Sequence, residues 1–363
     1  MNVFIVCTGL GHINRGYESF TRECYDALKD TIDFKLYLIK GGGKSIGNEI
    51  ALPNLPRRKK GAQFLAKILP LDAYAIEQAT FCISMLPLIF KKKPAVIYYS
   101  DFVLGTYLWH LRKYLKFKYK LLFSNGAPNG PPFKTEDHVQ QLLPVYLEEA
   151  IRKGAPAEMQ TLLPYGFNIN INERLNSLAK KKLIRKQLGL SPTQKVILSV
   201  GAINTHHKRM DYLIDEVAKL GSEYFLVILG QFEAETPQLI NLATTKLMGR
   251  FTITNVPQED VKDYYIAADY FVLASLNEGF GRVLIEALSY GLPCIVHNYI
   301  NAKQVLGEYG IYLNMENEGE LTEYFSIEKT VLNKESLIKA AHSRYSWSVL
   351  KKDYLKMISA LIN

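Results

Sequence analysis

Two glutamates flank a glycine-containing turn in the segment Glu278-Gly-Phe-Gly-Arg-Val-Leu-Ile-Glu286. Gly279 and Gly281 carry no side chain, so the backbone there can approach a ligand closely. A helix that begins after this turn points its unpaired N–H groups at the same ligand, which suits phosphate or sugar oxygens. A carboxylate accepts hydrogen bonds from two adjacent hydroxyls, as in a ribose or hexose diol. The alternative, a capped helix with solvated glutamates, leaves the two glycines unexplained.

The elements that must position this segment follow from the hydrophobic pattern. Short apolar runs alternate with helix-period segments, a pattern typical of parallel sheets covered by helices on both faces. The strands expected from these runs are residues 3–7, 34–39, 95–99 and 120–123, and then 195–200, 225–229, 251–254, 270–274 and 293–297. The alternation is interrupted by a Pro- and Gly-rich loop, 124–133, and again at Leu163-Pro-Tyr-Gly166. The chain is therefore expected to form two doubly wound α/β domains in series, with ligands at the carboxyl ends of the strands.

Length and composition agree with this organisation. The chain has 363 residues, of which 48% are hydrophobic and 22% charged, as in ordinary globular proteins of about two domains. The longest apolar runs have about ten residues, whereas a membrane span needs about 20. We expect no membrane-spanning segment. The four cysteines are scattered and form no C-x-x-C pair, which favours reduced thiols in a cytoplasmic protein.

At this point a resemblance becomes specific. Glu278 and Glu286 with E-G-F-G, followed by E-A-L-x-x-G-x-P, resemble the donor-binding signature of retaining glycosyltransferases with the GT-B fold, in particular family 4. The resemblance is dense over residues 163–315 and rests on the glycine loop and the strand order in the N-terminal half. It implies an α/β GT-B fold of two Rossmann-like, doubly wound domains that face each other across a cleft. The domain boundaries expected are 1–165, which binds the acceptor, and 166–347, which binds the nucleotide-sugar donor, with the C-terminal helix of about 348–363 crossing back to the first domain.

The same resemblance implies roles for individual residues. Glu278 would hold a hydroxyl of the donor sugar, Glu286 the ribose diol, and Val256 would present its backbone to the base. Lys208 would neutralise the leaving diphosphate, which develops charge that needs a cation or fixed dipoles. The donor-binding residues that it implies are Gly11, Gly201, Val256, Gly279, Phe280, Gly281 and Glu286. No metal and no cofactor are expected, because a lysine can replace the metal, and the chain has no D-x-D motif.

Two departures from the family pattern affect the catalytic candidates. Relatives usually have an arginine soon after the glycine at position 201, where this chain has Ala202, so Arg209 is the candidate for a second cation. Many relatives carry a histidine near the reacting carbon, and the matching position here is Asn125, which can bond a sugar hydroxyl but cannot titrate.

Two weaker signals lie in the N-terminal half. Gly9-Leu-Gly11-His12 follows the first expected strand but lacks the third glycine of a dinucleotide fingerprint, which disfavours an NAD enzyme. His12 is an acceptor-side candidate, with a structural histidine as the alternative. Asp101 follows a strand and is a candidate for acceptor binding or general base catalysis, with capping of the next helix as the alternative.

Charge is distributed unevenly. Residues 1–165 contain 22 Lys and Arg against 14 Asp and Glu, so most of the net charge of +9 lies in that half. Arg57-Arg58-Lys59-Lys60 precedes apolar residues at helical spacing, and the apolar run 81–90 leads into Lys91-Lys92-Lys93. Both patterns are typical of segments at an anionic membrane face, although both apolar faces would also suit packing on a sheet. No nucleic-acid-binding module accompanies the charge.

These observations favour one function. The chain is expected to be a metal-independent, retaining hexosyltransferase that uses a nucleotide-diphospho-sugar and a glycan, lipid-linked or small-molecule acceptor, as in polysaccharide or glycolipid biosynthesis. It is expected in the cytoplasm, peripherally on the inner membrane face. The alternatives are a nucleotide-sugar epimerase or hydrolase of the same fold and a non-catalytic sugar-nucleotide-binding protein.

Overall fold

Buried apolar strands build two parallel sheets, one in each of two structural units. The computed structural model describes residues 1–13, 16–126, 131–327 and 332–362. Unit 1 comprises Met1–Asn168 together with Trp347–Asn363, and unit 2 comprises Ile169–Ser346. Each unit has its own sheet and its own hydrophobic core.

The sheet of unit 1 has the strand order β3-β2-β1-β4-β5-β6-β7. Its strands are β1 Asn2–Cys7, β2 Lys35–Lys40, β3 Glu49–Ala51, β4 Val96–Tyr99, β5 Lys120–Asn125, β6 His138–Gln141 and β7 Gln160–Leu162. All neighbours pair in parallel, and Val3 of β1 lies opposite both Leu36 of β2 and Val96 of β4. The strand order reverses between β1 and β4, which makes the carboxyl ends of these two strands the expected ligand position in a doubly wound sheet.

Helices cover both faces of this sheet, as apolar strands without alternation require. They are α1 Gly16–Leu28, α2 Lys60–Ile68, α3 Ala73–Ser84, α4 Leu86–Lys92, α5 Phe102–Leu115, α6 Pro144–Arg152 and the C-terminal helix Trp347–Ala360. Apolar side chains of α3, α4 and α5 form one cluster with those of the strands. It includes Phe4, Val6, Tyr37, Phe81, Met85, Ile97, Leu104, Leu108, Leu121 and Phe123, each 3% exposed or less.

One apolar stretch of unit 1 has the dimensions of a membrane span. Within the described residues, Ala73–Lys92 is the stretch that is long and apolar enough by length and composition. That test is weak, because the core helix of a globular domain also passes it. Phe81, Met85 and Ile89 are 2% exposed or less and belong to the core of unit 1. The interpretation of 81–90 as part of a membrane face is therefore wrong for these side chains, which pack inside the unit.

A buried hydrogen-bond network attaches the C-terminal helix to unit 1. The side-chain amide of Gln140 on β6 donates to Leu163 O and to the hydroxyl of Tyr354, both at 2.8 Å. The Tyr354 hydroxyl donates in turn to Pro164 O at 2.8 Å, and the hydroxyl of Tyr98 donates to Gln140 Oε1. Tyr354 is fully buried, so each of these polar atoms needs its partner.

The sheet of unit 2 has the order β10-β9-β8-β11-β12-β13, again entirely parallel. Its strands are β8 Lys195–Val200, β9 Tyr224–Leu229, β10 Phe251–Thr254, β11 Tyr270–Leu273, β12 Cys294–His297 and β13 Gly310–Leu313. Its helices are α7 Ile171–Gln187, α8 Met210–Ala218, α9 Thr236–Leu247, α10 Val261–Ala267, α11 Arg282–Ser289, α12 Ile300–Leu306, α13 Glu320–Ser326 and α14 Lys334–Tyr345. Here the strand order reverses between β8 and β11.

The expected strands all occur, with ends shifted by at most two residues. Four strands were not expected, namely β3, β6, β7 and β13, and they are short. β6 reads His-Val-Gln-Gln, and a polar strand has no hydrophobic signal. The hydrophobic pattern also predicts a helix from about Arg15 to Leu28; Arg15 lies outside the described residues, and α1 is described over Gly16–Leu28. The Pro- and Gly-rich loop falls partly outside them too, at 127–130.

Removing the Tyr354 hydroxyl tests the anchor of the C-terminal helix. Tyr354→Phe should lower the free energy of unfolding of unit 1 by about 1–3 kcal/mol, because the buried Gln140 amide loses one of its acceptors and Pro164 O loses its donor. Trp109 and Trp347, the chain's two tryptophans, both lie in unit 1, so their fluorescence during urea unfolding reports on this unit. Tyr114→Phe, at a side chain that is 73% exposed, is the control and should have no effect. Equal urea midpoints for the two variants would contradict the anchor.

Candidate active site

The strongest sequence motif forms an ion pair at the point where the strand order of unit 2 reverses. β8 and β11 are neighbours, with Ile197 opposite Tyr270, so the loops after both strands leave the same edge of the sheet. Lys208, from the loop after β8, donates through Nζ to Oε1 of Glu278, from the loop after β11. The two side chains are only 12% and 11% exposed, so little water screens the pair.

Lys208 is held in place by its own loop. Oδ1 of Asn204 accepts hydrogen bonds from the backbone N–H of His207 at 3.2 Å and of Lys208 at 2.8 Å. The Asn204 amide donates to Glu233 Oε2 at 2.9 Å, which fixes its orientation. The aliphatic part of Lys208 lies against Gly201 at the end of β8. These contacts place the ammonium group of Lys208 at the sheet edge. They involve the backbone and the aliphatic part of Lys208, so the ammonium group itself is not needed to hold the loop.

The loop of Glu278 is fixed just as firmly. Asn301 on α12 donates through its side-chain amide to Glu278 O at 2.6 Å and to Gly279 O at 3.2 Å. Gly281 immediately precedes α11 and has φ +71°, a conformation that L side chains rarely adopt. Phe280 between the glycines is 5% exposed and packs edge to face on Tyr345. The N-terminal N–H groups of α11 are thereby presented beside the ion pair.

Glu286 and Val256 lie further from the pair. Glu286 is on α11, and its Oε2 accepts a hydrogen bond from the Tyr265 hydroxyl at 3.0 Å. Burial raises the pKa of Tyr265 well above its usual value, and the charge of Glu286 adds to the effect, so this phenol remains a donor. Val256 follows β10, which is separated from β8 by β9, in an exposed loop.

Arg209 has a different environment from its neighbour Lys208. It adopts a left-handed conformation, φ +50°, immediately before α8. Its guanidinium donates to Met315 O at 2.5 Å and lies over the ring of Tyr212 at 4.5 Å. These contacts tie the start of α8 to the loop after β13. They give Arg209 a structural role, and its role as a second cation stays a prediction.

Together these groups make an arrangement suited to an anionic ligand that also carries hydroxyls. Lys208 supplies a cation, and the N-terminus of α11 supplies backbone donors and a positive dipole end. Glu278 supplies a hydroxyl acceptor next to the cation. His207 adds a second polar group, since its Nε2 lies 3.7 Å from Glu278 Oε1 and 3.3 Å from Asn277 O.

The glycine loop of unit 1 packs on another part of the protein. Gly11 has φ +94°, and a Cβ at this position would overlap the backbone of Gly42 in the loop after β2. Gly42 N donates to Leu10 O at 3.0 Å, which locks the two loops together. The imidazole of His12 lies against Gly42 and is otherwise exposed. Packing between two loops therefore explains the glycine at position 11, whereas a contact of Gly11 or His12 with substrate stays a prediction.

Asp101 caps a helix. Its Oδ1 accepts a hydrogen bond from Leu104 N at 3.0 Å at the start of α5, and its Oδ2 accepts one from the hydroxyl of Tyr74 on α3. Burial raises the pKa of Asp101, while these two hydrogen bonds act in the opposite direction. The capping alternative is thus observed directly.

Asn125 ends β5 and is 2% exposed. Its side-chain amide donates to Gln141 Oε1 at 2.9 Å, and Gln141 donates to Gln160 Oε1 at 2.8 Å. This row of amides crosses β5, β6 and β7. Asn125 therefore contributes to a buried polar network, and its contact with a sugar stays a prediction.

Sequence reasoning missed two residues of the unit 2 site. Asn204 organises the Lys208 loop, and an asparagine in a polar loop segment is a signal for such a local turn. Asn301 holds the Glu278 loop from a distance of 23 positions, and nothing local to its helix indicates this role. Both residues position others, and both are nearly buried.

Comparisons with known proteins bear on this site. Residues 180–339, within unit 2, match the family described as glycosyl transferases group 1. Over 149 residues the chain is 30% identical to a glycosyltransferase assigned to teichuronic acid biosynthesis in Bacillus subtilis, covering 41% of this chain and 36% of that protein. Over 150 residues it is 31% identical to the N-acetylgalactosamine-N,N'-diacetylbacillosaminyl-diphospho-undecaprenol 4-alpha-N-acetylgalactosaminyltransferase of Campylobacter jejuni, covering 40% of each. The matches span less than half the length of these curated relatives.

A solved structure resembles the whole chain. The Anabaena protein HepE, in complex with UDP and glucose, has a TM-score of 0.75 at 16% sequence identity, covering 99% of this chain and 100% of that one. Such a likeness, together with the two parallel sheets, shows the fold. The chain has the GT-B fold, as the sequence resemblance implied.

Replacing Asp101 separates capping from catalysis. Asp101→Asn should keep turnover within about threefold of the wild type, because Asn and Asp cap helices about equally well. Asp101→Ala should lower the free energy of unfolding by about 0.5–2 kcal/mol through loss of the cap. The measurements are steady-state turnover and urea unfolding of both variants. A folded Asp101→Asn protein with turnover reduced a hundredfold or more would instead establish Asp101 as a general base.

Proposed function

We propose that the chain is a retaining glycosyltransferase of the family 4 type that moves a hexose from a nucleotide-diphospho-sugar to an acceptor without a metal ion. The observation that carries this proposal is the nearly buried Lys208–Glu278 pair beside the N-terminus of α11, at the point where the strand order of unit 2 reverses. The group 1 match covers the same loops. HepE, which has the same fold, was solved with UDP and glucose.

The proposed donor site uses the loops of unit 2. The diphosphate lies at the N-terminus of α11 and Lys208, the ribose diol at Glu286, and the base at the backbone of Val256. In the structure, the ammonium of Lys208 is paired with Glu278. A diphosphate offers this ammonium more negative charge than one carboxylate, so donor binding shifts Lys208 toward the phosphate. An oxygen of Glu278 then becomes available to a hydroxyl of the donor sugar.

The proposed reaction proceeds on one face of the sugar. The acceptor oxygen bonds to the anomeric carbon on the face from which the diphosphate departs, as the bond from that carbon to the diphosphate breaks. The departing phosphate takes the proton of the acceptor hydroxyl, so no titratable side chain is needed at Asn125. The negative charge on the departing diphosphate grows toward the transition state. Lys208 and the α11 dipole therefore stabilise the transition state more than the ground state, which is the requirement for an increase in rate.

Removing Lys208 tests this function. Lys208→Ala should lower kcat by about 10²–10³, with a smaller change in the KM for the donor, since the lost interaction is strongest in the transition state. The assay measures transfer from radiolabelled nucleotide sugars to lipid and sugar acceptors, and Lys180→Ala, at an exposed lysine of α7, is the control. Activity should persist in EDTA. Loss of activity in EDTA with recovery in magnesium or manganese would overturn the metal-independent mechanism, and absence of turnover with every donor would favour a binding protein.

We further propose that unit 1 binds the acceptor and contacts an anionic membrane, on the inner face of the cytoplasmic membrane. α2 has one buried residue, Ala62, and leaves apolar side chains in solvent: Phe64 is 62% exposed and Ile68 is 63% exposed. Arg58, Lys59 and Lys60 at its start are exposed as well. Cations beside an exposed apolar helix face match an anionic lipid surface in both charge and polarity.

The relatives support a lipid-linked acceptor. The Campylobacter enzyme is named for a substrate linked to diphospho-undecaprenol.

The structure also corrects the extent of the basic cluster that motivated the membrane proposal. Arg57 forms an ion pair with Glu77 inside unit 1, and of the four basic residues only Arg58, Lys59 and Lys60 face solvent. The membrane contact thus rests on three cations and the apolar face of α2.

Sedimentation with vesicles tests the membrane contact. The protein should pellet with vesicles that contain anionic lipid and less so as salt increases, because each basic residue near the surface contributes about 1 kcal/mol. Replacing Arg58, Lys59 and Lys60 by Ser should weaken binding about 100-fold. The matched control replaces three exposed lysines of α7, Lys180, Lys182 and Lys186, by Ser. Equal recovery in the supernatant with neutral and anionic vesicles at low salt would refute the contact and favour a soluble acceptor.

A further inference from the structure

Arg57 differs from the three basic residues that follow it. Its side chain is 26% exposed, and its Nε donates to Oε2 of Glu77 at 2.5 Å. Glu77 lies on α3 and is 1% exposed. The guanidinium also lies over the ring of Tyr74, 4.2 Å from its centroid. Since one edge and one face of the guanidinium are held by the same helix, Arg57 has a defined orientation.

The outer edge of this guanidinium consists of its two terminal nitrogens. Within the part of the chain that the structure describes, Nη1 and Nη2 of Arg57 donate no hydrogen bond to another residue. A planar guanidinium presents these two nitrogens as a fork that matches two oxygens of one phosphate or carboxylate. Because the side chain is already ordered, an anion that binds there does not have to immobilise it.

Arg57 also lies at the edge of the sheet where ligands are expected. Tyr74, under its guanidinium, donates to Asp101, which follows β4. Next to Glu77, the side chain of Gln78 accepts a hydrogen bond at 2.6 Å from Thr8, which follows β1. The contacts of Arg57 thus lead directly to the carboxyl ends of β1 and β4, the two strands between which the order reverses.

The charges around Arg57 favour an anion with more than one negative charge. Glu77 and Asp101 are both turned into the protein, where they accept hydrogen bonds from Arg57, Tyr74 and a backbone N–H. Arg58, Lys59 and Lys60 follow directly and face solvent. The accessible side of this loop is therefore cationic, and a doubly charged phosphoryl group gains more from such a field than a carboxylate does.

We propose that Arg57 binds a phosphoryl group of the acceptor, at a site in unit 1 that is distinct from the Lys208 site. This rests on the proposed function only in calling the ligand an acceptor; binding of the phosphoryl group itself is independent of it. The group has two sources, a diphosphate that links a sugar to a lipid, or a soluble sugar phosphate. Arg57 is a binding residue here, and Glu77 is the positioning residue that orients it.

Calorimetric titration of the full chain with inorganic pyrophosphate tests this site. Lys208→Met removes the cation of the unit 2 site and weakens pyrophosphate binding there, so the part of the remaining binding that depends on Arg57 reports on unit 1. Adding Arg57→Gln should weaken this remaining binding at least about tenfold, since a charge-assisted bidentate contact is lost. Arg58→Gln removes one charge of the surrounding field but no direct contact with the anion, and it should weaken binding by at most about twofold because solvent screens an exposed charge.

A second variant keeps the test valid if Arg57→Gln unfolds because Glu77 loses its partner. Arg57→Gln combined with Glu77→Gln removes both charges and should fold, yet bind pyrophosphate as weakly as Arg57→Gln. Glu77→Gln alone should give an intermediate affinity, because the guanidinium loses its anchor and keeps its charge. Wild-type affinity in the folded double variant would overturn the proposal, as would equal losses for Arg57→Gln and Arg58→Gln. If Lys208→Met leaves the pyrophosphate isotherm unchanged, the assignment of the donor site to Lys208 is wrong. The Arg57 site is then still decided by the Arg57 and Glu77 variants.

Competition identifies the source of the phosphoryl group. Farnesyl diphosphate in neutral phosphatidylcholine vesicles and soluble glucose 1-phosphate are each titrated against pyrophosphate in the Lys208→Met protein. Displacement by the first supports a lipid-linked diphosphate, and displacement by the second supports a soluble sugar phosphate, in each case only where Arg57→Gln abolishes it. Displacement by neither probe would overturn the assignment of the site to an acceptor.

Discussion

Parallel pairing of β8 with β11 is the constraint on which the arrangement of Lys208 and Glu278 depends. Because these strands run in the same direction and are neighbours, the loops that follow them leave one edge of the sheet together. Lys208 and Glu278 are 70 positions apart in the chain and form an ion pair there. Asn204 holds the Lys208 loop and Asn301 holds the Glu278 loop through hydrogen bonds to the backbone. Both amides are buried, so they require these hydrogen bonds, and the bonds in turn fix the position of the ion pair.

In unit 1 the corresponding sheet edge lies at the carboxyl ends of β1 and β4, where the strand order also reverses, but its side chains make different contacts. The carboxyl ends of β1 and β4 carry side chains that are largely satisfied within the protein: Asp101 caps α5, and Thr8 bonds Gln78. Gly11 serves the packing of two loops. Arg57 is the exception, since no described residue accepts a hydrogen bond from its two terminal nitrogens after Glu77 and Tyr74 have fixed its position. The acceptor site that we propose on this edge therefore depends on a residue whose sequence neighbourhood indicated only surface charge.

Sequence by itself determined the fold class, most strands and the turn and helix of the segment from Glu278 to Glu286. Strand β8 has the bounds that the hydrophobic run predicts, because its central residues are buried and burial on both faces of a sheet favours apolar residues. The Gly281 turn was also readable, since positive φ is favourable for glycine and few other residues. Spacing alone placed Glu278 before a helix and Glu286 on it.

Tertiary structure alone decided what the polar residues do. The polar residues of β6 are stabilised by distant partners: Gln141 bonds the side chain of Gln160 on β7, and Gln140 bonds Leu163 O and the hydroxyl of Tyr354 on the C-terminal helix. The sequence of β6 itself does not indicate these partners. The same holds for Arg57, which is one of four consecutive basic residues and is distinguished from the others only by Glu77, 20 positions away. Hydrophobic burial can be predicted from the local periodicity of apolar residues. A hydrogen bond between side chains cannot, because it depends on which two distant atoms the fold brings within about 3 Å of each other.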